Sequence, residues 1–157
     1  NPAEGALGAL PHATVRAIVE AVGHAVPVSA TIGDLPAVPD ALCDAAIAMA
    51  ATGVDLVKIG FFGDGDAKAS IAALGRLDLG QARLVGLLLA DRNPHLNLVA
   101  AMADAVFVGV MLDTATKDGR ALPDVMATSE ISRFVDAARA VGLFVGLAGA
   151  LRLEHIS

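Results

Sequence analysis

The sequence of 157 residues has no Trp and no Tyr, and Phe supplies its few aromatic rings. With no aromatic platform for a base to stack on, no Lys/Arg cluster and a net charge of −6, nucleic acid is excluded as a partner. Cysteine is nearly absent too. Cys43 stands alone, so no internal disulfide can form and a reducing cytoplasm is the simplest compartment. It falls in an Ala-rich helical stretch and reads as core packing. No basic segment followed by an apolar one opens the chain, so no signal peptide is read. The longest strongly apolar stretch, Val141 to Leu151, is far short of the roughly 20 residues a membrane span needs. The mean hydropathy of +0.65 reflects abundant Ala and Val.

Metal and nucleotide signals are also missing. His12, His24, His95 and His155 form no i,i+4 pair with a Cys or Glu set, so no zinc site is read. Asp64-Gly65-Asp66 lacks the ligand period of a calcium loop and reads as a turn ending in a helix N-cap. Gly60, Gly63 and Gly65 have neither dinucleotide nor phosphate-loop spacing.

What is present is alternation. Strand-length apolar runs at Val26–Thr31, Val54–Gly60, Leu84–Ala90, Val106–Leu112 and Leu143–Ala148 are separated by helical stretches near Asp40–Thr52, Asp66–Gln81, Pro94–Asp104 and Ser129–Val141. Repeated β then α predicts a parallel sheet with helical crossovers. The strands are apolar throughout, as when helices cover one face and the other lines a barrel, so a TIM (β/α)8 barrel is favoured over an open doubly wound sheet. About five βα units are present. The expectation is therefore one incomplete barrel domain over residues 1–157, lacking the first strand and the last units, with Leu153–Ser157 an unfinished helix and open rims that favour homo-oligomers. Polar and Gly-rich residues follow the strands, at Gly33-Asp34, Gly60 to Asp66, Asp91-Arg92-Asn93, Asp113 to Arg120 and Gly149-Ala150. Barrel enzymes keep their chemistry in such loops.

Only three lysines stand against eight arginines, and one of them, Lys58, interrupts Val54-Asp55-Leu56-Val57-Lys58-Ile59-Gly60. Taking an ammonium out of water costs several kcal/mol unless something relieves it, and the same surroundings suit a lysine to Schiff-base or general-base work. Strand alternation puts Leu56, Lys58 and Gly60 on one side, so Lys58 points into the barrel if Leu56 does. The plainer alternative is a lysine whose stem packs while its head reaches water. In Met111-Leu112-Asp113-Thr114-Ala115-Thr116-Lys117-Asp118-Gly119 a strand delivers a carboxylate at its tip and a lysine follows four residues later. The pair suits mutual control of charge, or else Asp113 binds loop amides ahead of a turn. Ser29 and Thr31 share a strand face suited to phosphate or sugar oxygens, unless they bond locally. Gly149 offers a backbone amide to a phosphate or is a plain βα turn.

Taken in order, Asn1-Pro2-Ala3-Glu4-Gly5-Ala6-Leu7-Gly8-Ala9, Val28-Ser29-Ala30-Thr31-Ile32-Gly33-Asp34, Val57-Lys58-Ile59-Gly60, Met111 to Gly119 and Leu147-Ala148-Gly149 resemble the (5-formylfuran-3-yl)methyl phosphate synthase family along essentially the whole chain. The resemblance implies a TIM-barrel lyase of methanofuran biosynthesis, in one-carbon metabolism of the methanopterin type. It implies a class I aldolase-like joining of two glyceraldehyde 3-phosphate molecules, with loss of phosphate and water, and no metal or organic cofactor. By motif, Lys58 matches the acid/base lysine, and Asp113 and Lys117 match a carboxylate and lysine of a third active-site segment. The Schiff-base lysine is expected directly before Asn1-Pro2, outside this sequence. Ala6 stands where a serine is expected, and the stretch from Lys58 to Asp113 is shorter than in archaeal members. The rivals are another Schiff-base aldolase or phosphosugar enzyme, and a noncatalytic phosphate-binding fragment.

Overall fold

The computed structural model describes residues 5–23 and 25–155. The Asn1-Pro2 start, His24 and the last two residues of the expected terminal helix lie outside them. The described elements run α1 (His12–Val22), β1 (Ser29–Thr31), α2 (Pro39–Ala50), β2 (Leu56–Gly60), α3 (Ala67–Leu74), β3 (Arg83–Leu89), α4 (Leu98–Asp104), β4 (Gly109–Asp113), α5 (Leu122–Val125), α6 (Thr128–Ala140) and β5 (Phe144–Leu147). All five strands pair in parallel, in the order β1-β2-β3-β4-β5. This is an α/β fold built on one parallel sheet. No helix among the described residues is long and apolar enough to cross a membrane.

The sheet's two faces are distinct. Val57 and Ile59 of β2, Leu84 and Leu88 of β3, and Val110 and Leu112 of β4 join one core with residues from all six helices, including Val15, Leu42, Ile71, Met102, Leu122 and Phe134. The alternate residues form a second, smaller cluster in which Leu87, Leu89 and Met111 pack with Ala6, Leu7, Phe62 and Ala115. The main helical layer therefore covers one face, and the other is left to side chains and loops, with α1 reaching its β1 edge. β3 explains why the strands read as apolar throughout. It is central, and every residue from Leu84 to Leu89 is buried, on both faces.

Register fixes the rows of the second face. Thr31 pairs with Lys58, Lys58 with Val85, Val85 with Gly109 and Gly109 with Phe144. One layer nearer the carboxyl ends lie Gly60, Leu87, Met111 and Gly146, and beyond them Leu89 pairs with Asp113. Glycine in these rows makes room for a neighbour's side chain. A Cβ on Gly109 would sit 2.4 Å from the Phe144 ring, and one on Gly146 would sit 2.7 Å from Cγ of Met111.

Several sequence boundaries are corrected. The Val26–Thr31 strand shrinks to Ser29–Thr31, because Pro27 has no N–H to give a ladder. The helix read over Asp66–Gln81 ends at Leu74, and the Gly75 that follows lies against Ala105, where a Cβ would come within 2.8 Å. The helix read from Pro94 begins at Leu98, because turns occupy the preceding residues. α1 and the one-turn α5 were not read at all. In place of an unfinished terminal helix, a single 3-10 turn covers Leu153–His155. Cys43 is half-buried against the core, not enclosed by it.

Candidate active site

The loops that follow the strands are laced to one another. Both oxygens of the Asp34 carboxylate, just after β1, accept from backbone amides of the residue 5–7 loop, Oδ2 from Ala6 and Oδ1 from Leu7, each at 2.7 Å. Ala37 bridges to the β2 loop, donating to the Asp64 carbonyl and accepting from the Asp66 amide, both at 2.9 Å. Asp91 lies in a 3-10 turn after β3. Its Oδ1 accepts from Ala115 N at 2.7 Å and its Oδ2 from Thr116 N at 2.8 Å, both in the β4 loop. The Leu122 amide then donates to the Gly149 carbonyl after β5 at 2.9 Å. Between the β2 and β3 loops lies a cavity of about 220 Å³, lined by Phe61, Phe62, Arg92, Asn93 and His95 among others. As the Asp64-Gly65-Asp66 sequence suggested, Asp66 caps α3, its Oδ1 accepting from Ala69 N at 2.9 Å.

Lys58 is the third of five residues in β2 and is half-buried on the face away from the helices. With Ser29, Thr31, Leu10 and Ile18 it lines a second cavity of about 220 Å³ at the β1 edge. Among the described residues no carboxylate lies within ion-pair distance of it. An amine so placed is free to take a ligand's carbonyl or phosphate oxygen, or to move a proton. Thr31 shares its row, but its hydroxyl donates to the Leu7 carbonyl at 2.7 Å, the local bonding weighed above. Ser29 is exposed at the same edge.

Asp113 closes β4. Its Oδ1 accepts from the Thr114 amide at 2.7 Å and lies 3.4 Å from Lys117 Nζ, which also donates to the Thr114 carbonyl at 2.7 Å. Both readings of Asp113 are thus present at once, the loop-amide acceptor and the lysine partner. With Lys117 half exposed, the ion pair contributes little to stability but keeps the ammonium on one side of the loop. Gly149 has φ of +105° and lies so close to Thr114 that a Cβ would meet its methyl at 2.7 Å. Close approach of two loops accounts for this glycine, and among the described residues a 3-10 turn follows it.

Not all of these residues come together. Asp113 and Lys117 meet, and Lys58 shares its cavity with Ser29 and Thr31. But Lys58 is level with Gly109, four residues below Asp113 and two strands away. At about 3.3 Å per residue and 4.8 Å per strand the backbones are roughly 16 Å apart, so the two stations need a ligand or loop to connect them. Asp34 and Asp91 were seen only as loop residues in the sequence, and the signal for them is weak: an aspartate just beyond a strand. Burial alone would raise the Asp91 carboxyl, but the amides of Ala115 and Thr116 outweigh it and hold the group below its ordinary value.

A parallel α/β sheet that carries Lys58, Ser29 and Thr31 on the face away from its main helical layer, and Asp113 and Lys117 at the end of β4, has the class of architecture in which small-molecule sites are built at the carboxyl ends of the strands. The chain belongs to the 4-HFC-P synthase family, whose model matches residues 1–157. A Methylorubrum extorquens protein, provisionally named a (5-formylfuran-3-yl)methyl phosphate synthase, is 41% identical over 156 residues, 99% of this chain and 64% of its own length. The (5-formylfuran-3-yl)methyl phosphate synthase of Methanopyrus kandleri is 37% identical over 99% of this chain and 70% of its own, and that of Archaeoglobus fulgidus 35% identical over 99% and 72%. The chain thus spans about two thirds of the length of these relatives.

Proposed function

We propose that this protein acts as a (5-formylfuran-3-yl)methyl phosphate synthase, a cytoplasmic lyase of methanofuran biosynthesis that condenses two glyceraldehyde 3-phosphate molecules through a lysine Schiff base, with loss of phosphate and water. The observation that carries the reading, within this family, is Lys58: an amine with no carboxylate partner among the described residues, on the helix-free face of a parallel sheet. Helices gathered mainly on one face support the reading of an incomplete TIM (β/α)8 barrel, since a doubly wound sheet carries them on both.

In this reading Lys58 takes and returns the proton that enolises the triose phosphate, with Ser29 and Thr31 beside it as oxygen ligands. Asp113 holds Lys117 at the strand tip, where it serves proton transfer during dehydration and phosphate loss, with the Gly149 amide among the substrate contacts. In this reading the two separated stations serve different stages or opposite ends of the joined substrate. Incubating the full-length protein with glyceraldehyde 3-phosphate and following the furan aldehyde by mass spectrometry tests this. Lys58→Arg keeps the charge but cannot release its proton, and is expected to lower turnover at least 100-fold with the fold intact. Near-normal turnover would reject the role. Borohydride trapping with other sugar phosphates separates the reading from a different Schiff-base aldolase.

A further inference from the structure

We propose that Asp91 is a positioning residue: from the tip of β3 its carboxylate grips two successive amides of the β4 loop and so fixes Lys117 for its chemistry beside Asp113. The proposal rests on the reading of Lys117 given above.

Three consecutive amides of the β4 loop are held by two carboxylates. Asp113 takes Thr114 N, and Asp91 takes Ala115 N and Thr116 N. Thr114 is buried, and its side chain is pressed against Gly149. Its carbonyl in turn receives the Lys117 ammonium. The lysine head is therefore placed by a peptide segment whose direction Asp91 sets from a neighbouring strand. Asp91 makes no ion pair with Lys117; the only carboxylate in ion-pair contact with that ammonium among the described residues is Asp113. Its influence must therefore pass through the backbone. Nothing local supplies this restraint, because the two partners are 24 and 25 residues away in sequence. Without Asp91 the Ala115 and Thr116 amides would lose these partners, and the loop would keep only its Asp113 end and the packing of Ala115 on the Leu87 and Leu89 cluster. A catalytic group misplaced by about 1 Å can lose ~100-fold in rate.

Asp91→Asn preserves shape but sets an NH₂ against an amide N–H, so at most one of the two bonds survives. In the full-length protein, with glyceraldehyde 3-phosphate as substrate, the variant is expected to lower kcat about tenfold or more while KM moves less than about threefold. The Ala115 and Thr116 amides are expected to exchange with solvent at least about tenfold faster by NMR. Adding Asp91→Asn to Lys117→Ala should cost less than about a further twofold in residual rate, because the group it positions is gone. Asp78→Asn, which alters a single-amide turn at the far end of β3, should leave kcat unchanged. Should Asp91→Asn fail to fold, Asp91→Glu displaces the carboxylate by one methylene, and the same kcat-selective loss is expected. A wild-type kcat in the folded Asp91 variant, a loss confined to KM, or a full loss repeated in the Lys117→Ala background would overturn the proposal. Wild-type turnover in Lys117→Ala would instead reject the role of Lys117, and the proposal with it.

Discussion

Gly63 and Gly65 lie two residues apart in the loop after β2, both with positive φ, and they should respond very differently to the same added methyl group. Gly63 has φ of +76°, near the left-handed helical region, and a Cβ there would meet nothing within 4 Å. Gly63→Ala should therefore cost only the conformational penalty of about 1–2 kcal/mol. Gly65 has φ of +117°, and its Cβ would lie 2.4 Å from the carbonyl oxygen of Ala37, which is backbone and cannot rotate aside. Relieving that contact means parting the β1 and β2 loops, which are joined by the bonds Ala37 N to Asp64 O and Asp66 N to Ala37 O. Two hydrogen bonds at about 1 kcal/mol each, added to a similar or larger conformational penalty, give roughly 3–5 kcal/mol for Gly65→Ala. Asp66 also caps α3, so the damage should spread to that helix. Urea unfolding followed by circular dichroism would measure both variants, each against wild type. Equal losses would refute the account, because the two sites differ chiefly in what stands opposite the missing side chain.

Two further outcomes follow from charge. Because its amide partners lower the Asp91 carboxyl, its contribution is complete above the ordinary value of 3.8 and is lost as pH falls through the lower folded-state value. The Ala115 and Thr116 amide shifts should accordingly hold steady to about pH 4 and move only below it; a midpoint above 4 would contradict the double grip. The Cys43 thiol is raised by burial first, then by Asp40 and Asp44 beside it. Since the thiolate is the attacking form, iodoacetamide should modify it several-fold more slowly at pH 8 than a free thiol, and a rate equal to the free thiol's would reject that environment.

The central strands were legible because burial on both faces leaves an uninterrupted apolar run, as in Leu84–Leu89. Asp113 with Lys117 was legible because four residues on a turning loop bring a carboxylate and an amine within reach. α1 was missed although Val15, Ile18, Val19 and Val22 carry a helical period: Val15 alone among its residues is buried, and small residues blur the stripe. β1 was read too long because the run from Val26 carries Pro27, which has no N–H to give a ladder. The separation of Lys58 from Asp113 depends on the pairing of Val85 with Gly109, a register set by two strands jointly. Asp34 and Asp91 were hidden for a related reason, since their amide partners lie 24 to 28 residues away and no local pattern encodes them.

The glycines of the helix-free face also bear on how this protein can change. At Gly109 and Gly146 the contour of the wall is drawn by Phe144 and Met111, residues anchored on the adjoining strand. Reshaping this face of the sheet therefore takes coordinated substitutions on two neighbours, a larger side chain here requiring a smaller one next door. Specificity on this scaffold should drift in coupled pairs, and libraries that vary one position at a time would miss most of the accessible shapes.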